Sequence, residues 1–285
     1  VSKLEPLPDG RIISISADTS VRVWEQDTGA CLANFGSNHN AWVFALAVSP
    51  DGSRAVTSSL NHTMIAWDLE NLEVERVIIG EDNGDVHMIM GDIYMAAPNT
   101  SGRGHDDAPS VMRWSKDGER LISAAKDIVI WDAQDFSELS RLPGHAWKIH
   151  DMVLFDNDTK LVTVAHCIKV WDLETGEELR SFLGHGSDEI YSVTLSPDEK
   201  TVYFADTMTA RVWAYDLESP GVAAQATPFT KARLLAGMPD LRYFDSLAIS
   251  AAGNVCVATI LKGGITTVKP DGSHSHTEFP DPFVT

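Results

Sequence analysis

The chain has 285 residues, with 22 Lys and Arg against 41 Asp and Glu, for a formal net charge of −19. No basic stripe exists to displace counterions from phosphates, which excludes a nucleic-acid surface, and no apolar run reaches the ~20 residues of a membrane span. A chain of this length buries roughly three-quarters of its unfolded surface without disulfide staples. The three cysteines, Cys31, Cys167 and Cys256, therefore read as reduced, small buried hydrophobes of a monomeric cytoplasmic protein.

The opening VSKLEPLPDG does not read as a secretory signal but as a strand closed by a Pro-Asp-Gly turn. Two further strands follow, the second ending at Trp24, with Ser14 and Asp18 before it. The next unit carries VSPDG at 48–52 and ends its third strand at Trp67-Asp68, with Asn61 in the turn before that strand. Residues 81–103 interrupt the rhythm. They are either a long excursion or a degenerate seventh unit, and 23 residues are too few for four strands and their turns. Met88, Met90, Met95 and Tyr94 make this segment more apolar than a solvent loop, which favours packing on the body over a contact patch.

The clearest unit comes next: GHDDAPSVMRWSKDG, ERLISAAKD, IVIWDAQ and SELSRL read as four successive strands. Its Gly104-His105 recurs as Gly144-His145 and Gly184-His185, a period of 40. Third strands end at Trp131, Trp171 and Trp213, and GITTVKPDG supplies a sixth without a Trp. A fixed period near 40 marks a repeated unit that cannot bury its apolar face alone. Six four-stranded sheets arranged radially cover one another and leave only short edges, so the expected fold is an all-β, six-bladed β-propeller spanning 1–285 as one domain.

Two resemblances divide the chain. Residues 1–187 resemble WD repeats, on the Gly-His dipeptides, VSPDG, the Trp-Asp endings and WDLETGEELRSFLGH at 171–185. In that family a His, a Ser or Thr, a turn Asp and the Trp form a buried hydrogen-bond chain. His105, Ser123, Asp127 and Trp131 match all four positions. Elsewhere the set is partial: Asn61 replaces the Asp in blade two, His166-Cys167 in blade four, and blade one has no His. These groups are structural, not catalytic.

Residues 188–285 resemble the gluconolactonase and senescence-marker-protein family, through LSPDEKTVYFADTMTARVWAYDL and YFDSLAISAAGNVCVATILKGGITTVKPDG. The whole therefore reads as a hybrid, natural or engineered, of two propeller families. In the lactonase-like family FPDPFVT would lead into the next inner strand, so the ends would meet between blades six and one, without a shared closing strand.

The lactonase-like resemblance implies a single divalent cation, calcium or zinc, in the central channel, with Asp245 as ligand and base. Seven residues before each inner-strand turn lie Ser2, Phe44, Ser110, Asp151, Tyr191 and Asp245, one mouth position per blade. Tyr191 stands where the family has Asn, and no Glu is present. Only Asp245 survives, with Asp151 as a second candidate ligand, so it reads as a solvated mouth carboxylate and the expected state is cofactor-free. His274 and His276 alternate on the last strand and read as a polar edge rather than a metal pair.

Two functions compete. One is a non-enzymatic scaffold binding a protein or peptide on the channel face through Trp42, Trp147, Asp188 and Glu189. The other is a metal-dependent lactonase or esterase using Asp245.

Overall fold

The computed structural model describes residues 1–36, 38–79, 105, 107–183, 190–207, 209–219, 222–223, 232–238, 243–260 and 262–279. The segment 81–103, Asp188 and Glu189 lie outside the described residues. The chain is all-β and builds six antiparallel sheets, the blades of a β-propeller. It divides into two compact units, Val1–Lys148 and Ile149–Thr285, of three blades each.

In the first unit, blade one holds β1 (Lys3–Pro6), β2 (Arg11–Ile15), β3 (Val21–Glu25) and β4 (Cys31–Asn34). Blade two holds β5 (Val43–Val48), β6 (Arg54–Ser59), β7 (Met64–Asp68) and β8 (Glu73–Ile79). Blade three holds β9 (Val111–Trp114), β10 (Arg120–Ala124), β11 (Ile128–Asp132) and β12 (Glu138–Leu142). Each is an up-and-down meander in sequence order, joined by turns rich in Asp, Gly and Ser.

The second unit repeats the plan. Blade four is β13 (Asp151–Phe155), β14 (Lys160–Val164), β15 (Cys167–Asp172) and β16 (Glu178–Leu183). Blade five is β17 (Ile190–Leu195), β18 (Thr201–Asp206) and the long β19 (Arg211–Ser219). Its outer position is shared by β20 (Val222–Ala223) and β21 (Arg233–Gly237), both paired to β19. Blade six is β22 (Tyr243–Ile249), β23 (Val255–Ile260), β24 (Gly264–Val268) and β25 (His274–Glu278).

The middle strands are buried on both faces, as in β6, β7, β10 and β11. Apolar clusters fall between adjacent blades. One joins Ile13, Val23, Leu46 and Trp67 of blades one and two; another joins Val56, Met64, Trp114 and Trp131 of blades two and three. Equivalent clusters join blades four and five, and five and six. Burial of one blade's apolar face therefore needs its neighbour.

Two irregularities recur. The outer ladder shifts register at the Trp in five blades, at Trp24, Trp67, Trp131, Trp171 and Trp213. Blade six has no Trp there, and its β24–β25 ladder runs without a shift. On the inner side, bulges fall in β5 between Val43 and Ala45, in β17 between Ile190 and Ser192, and in β22 between Phe244 and Leu247. A bulge leaves its residue off the ladder and redirects the side chain. Phe44, Tyr191 and Asp245 occupy these three bulges.

The inner-strand turns stack blade on blade. Gly52, at φ +74°, packs so closely that an added Cβ would lie 2.5 Å from Cδ of Pro8 in the preceding turn. Arg11 Nη1 donates to the Leu69 carbonyl at 2.6 Å, and Arg54 makes the same reach from blade two to the Ala133 carbonyl of blade three. The cysteines differ from expectation: Cys31 is exposed on the outer strand β4, Cys167 is half-buried at the start of β15 beside the outer strand, and Cys256 is half-buried on the less covered face of β23, whose burial alternates.

Candidate functional site

Blade three carries a complete path from indole to carboxylate. Trp131 Nε1–H donates to Ser123 Oγ at 2.7 Å, and that oxygen lies 2.6 Å from His105 Nε2. The Ser123 proton therefore goes to Nε2, and His105 Nδ1–H donates to Asp127 Oδ1 at 2.6 Å. Arg141 holds the other Asp127 oxygen and also pairs with Glu138. Burial alone would raise the Asp127 carboxyl; the hydrogen bond from His105 and the neighbouring Arg141 charge outweigh it and keep it below the usual carboxylate range.

Blade two repeats the path with a residue that motif reading missed. His39, 1% exposed, is preceded by Asn38 instead of Gly, so the Gly-His signature does not reveal it. Trp67 Nε1–H donates to Thr57 Oγ1 at 2.8 Å, and Thr57 lies 2.7 Å from His39 Nε2. His39 Nδ1 meets Thr63 Oγ1 at 2.9 Å and Ser59 Oγ at 3.1 Å, and both hydroxyls donate to Asn61 Oδ1. The path ends on a neutral amide. Burial depresses the His39 pKa to about 4. In blades one and four the indole bonds likewise run from Trp24 to Ser14 and from Trp171 to Thr163, each at 2.8 Å. In blade six Thr259 bonds Thr266, which bonds His276 Nδ1 at 3.0 Å; His274 is exposed.

Among the mouth residues of the second unit, Asp151 is occupied by backbone. Its Oδ1 accepts the Met152 N–H at 2.8 Å, and its Oδ2 accepts the Ser192 hydroxyl at 3.0 Å and the Val193 N–H at 3.1 Å. Ser192 Oγ in turn accepts the Leu247 N–H at 3.0 Å. This relay ties the inner strands of blades four, five and six. Tyr191 stacks on His150, ring centroids 4.6 Å apart.

Asp245 is half-buried rather than fully solvated, and burial raises its pKa. Among the described residues no group of three or more His, Cys, Asp or Glu is gathered as cation ligands. A hard divalent cation takes six or more oxygens. One carboxyl with raised proton affinity and a second committed to N–H and O–H donors do not fit that demand.

The first unit presents a different surface. Trp42 is 48% exposed and Trp147 60% exposed. Trp42 Nε1–H donates to Ser2 Oγ at 2.6 Å, and its carbonyl accepts the N–H of Leu60, itself exposed. Lys148, beside Trp147, places its ammonium 4.7 Å from the ring centroid of the bulged, half-buried Phe44. Phe44 and Lys148 thus form a cation–ring pair, with exposed Trp42 two residues before the one and exposed Trp147 immediately before the other in sequence.

The blades and their indole-to-imidazole paths define a propeller of the repeating, Trp-anchored kind, and comparison with known proteins agrees. Residues 29–68 match the family model of the WD domain, G-beta repeat, and residues 191–285 match that of the SMP-30/Gluconolactonase/LRE-like region. Nuclear distribution protein PAC1 of Arthroderma benhamiae is 28% identical over 147 residues, 49% of this chain and 30% of that protein. Transducin beta-like protein 3 of Bos taurus is 34% identical over 67 residues, 24% of this chain and 8% of its own length. Ribosome biogenesis protein WDR12 homolog of Drosophila yakuba is 27% identical over 128 residues, 43% of this chain and 28% of that protein. The chain thus spans less than a third of the length of these relatives. Among the described residues no helix is long and apolar enough to cross a membrane.

Proposed function

We propose that this chain is a non-enzymatic propeller scaffold that binds a protein or peptide segment on the face carrying Trp42 and Trp147, and that it joins WD-type blades to lactonase-like ones without retained catalysis. The supporting observation is the exposure of two large indoles, Trp42 bonded to Ser2 and Trp147 next in sequence to Lys148, whose ammonium lies over Phe44. Scattered exposed Leu or Val is ordinary, whereas exposed indoles with a polar handle are the side chains that anchor interfaces. The WD-repeat relatives support a binding module as the general class.

Peptides selected on the full chain from a displayed library test this reading. Their capture should be lost in the W42A/W147A double variant and kept in L139A, which alters an exposed residue on the outer strand of blade three. Binders indifferent to both indoles would overturn it.

A metal-dependent lactonase reading draws on the match over 191–285 and on half-buried Asp245. Lactone turnover with added calcium or zinc that disappears in D245N would replace the scaffold reading, and a concentration-dependent rise in Tm with the metal would accompany it.

A further inference from the structure

Phe44 has two properties that the binding reading above leaves unused. It sits in the β5 bulge, where the ladder skips from Val43 to Ala45, so its side chain departs from the pleat that buries its neighbours. Its ring face already receives a cation, the Lys148 ammonium at 4.7 Å. Lys148 comes from the loop after β12 and is half-exposed, as Phe44 is half-buried. Trp42, two residues before Phe44, and Trp147, immediately before Lys148, are both exposed.

We propose that the Phe44 face receives a lysine or arginine side chain from a basic peptide partner, and that Lys148 is an intramolecular stand-in displaced when the partner binds. This rests on the binding reading above and specifies its partner. The negative face of an aromatic ring attracts cations and repels carboxylates. The chain's net charge of −19 draws a basic segment and disfavours an acidic one. Exchanging one ammonium for another conserves the ring contact, while Lys148 regains the rotamer freedom it gives up over Phe44. The two indoles then cover the apolar stem of the incoming side chain.

Fluorescence anisotropy with the full chain tests this, using a short fluorescein-labelled peptide of alternating lysine and glycine and its glutamate counterpart. The lysine peptide should bind and the glutamate peptide should not. F44L keeps apolar volume but loses the ring, and should weaken binding ~3- to 10-fold; K148M removes the competitor and should tighten it by a similar factor. K116M makes the same charge change at an exposed turn residue and should leave affinity unchanged. Circular dichroism melts confirm that each variant is folded, and K148M, on a loop, keeps the test decisive should F44L unfold.

Equal tightening in K116M and K148M reduces the effect to net charge and overturns the proposal. So does wild-type affinity in folded F44L, or preference for the glutamate peptide. Should the lysine peptide fail while library peptides of other composition bind through Trp42 and Trp147, the partner chemistry falls and the binding reading stands. Failure of every peptide removes both.

Discussion

Blades two and three follow the same route from an indole through a hydroxyl to an imidazole, and end it on different chemistry. In blade three His105 Nδ1 faces Asp127, which Arg141 also holds. In blade two His39 Nδ1 faces two hydroxyls that lead to the amide oxygen of Asn61. Both imidazoles are almost wholly buried. The path of blade three therefore ends on a carboxylate and that of blade two on a neutral amide.

The consequence at His39 follows from the donors. Thr57 accepts from Trp67 and gives its own proton to Nε2. A proton added at Nε2 would set two donors against Thr57 Oγ1 and leave the threonine proton without an acceptor. Charge and hydrogen bonding oppose protonation together, consistent with a pKa near 4 whose cause is burial.

Acidification should have the largest effect. The folded value for His39 lies below the unfolded one, so the unfolded chain binds the proton more readily between about pH 6.5 and pH 4. Stability contributed by neutral His39 is complete above that window and falls as pH drops through it, by roughly 3 kcal/mol at its lower end. Urea unfolding at several pH values, with the His39 ring followed by NMR, measures both quantities. A ring titrating near the ordinary imidazole value would break the contrast between the blades.

The substitution N61D sharpens the same contrast. It places a carboxylate where blade three has one, so the His39 pKa should rise and the loss of stability between pH 6.5 and pH 4 should shrink. An unchanged acid profile would show that burial, and not the missing charge, governs this ring.

Smaller effects are expected in blade three. D127N leaves His105 facing a neutral group and removes one of the two carboxylates that Arg141 pairs with, and should cost about 1–3 kcal/mol at pH 7. Because the Asp127 pKa is lowered, its contribution is present above the ordinary carboxylate value and vanishes as pH falls through the folded value. The penalty of D127N should therefore fade in strong acid, as urea titrations of both proteins will show.

Removing the indole donor should matter least. W67F and W131F each delete one hydrogen bond and leave Thr57 or Ser123 with one fewer donor, for about 1 kcal/mol beyond the lost ring area. Equal penalties in the two blades would show that the difference between them lies wholly beyond the imidazole.

Much of this was legible from local rules. The period near 40, the Trp endings and the Pro-Asp-Gly turns gave the strand order of every blade, because alternation and turn chemistry act within a few residues of one another. His105, Ser123, Asp127 and Trp131 were readable as a set through the resemblance to WD repeats. His39 escaped because Asn38 hides the dipeptide, although its distance from Trp67 is close to that of His105 from Trp131. Cys31 was misjudged because periodicity tells which face a residue takes but not whether its strand lies at an edge.

The sequence by itself determined the all-β repeating architecture and the Trp-ending strands, products of short-range pattern, and its resemblance to WD repeats implied the hydrogen-bonded path inside blade three. Only the tertiary structure decided which mouth residues meet. It committed Asp151 to Ser192 and Val193 of the next blade, bulged Phe44 out of β5 and laid Lys148 over its ring. Contacts between blades obey no fixed spacing, and a single extra residue in a strand leaves no mark on a two-residue period.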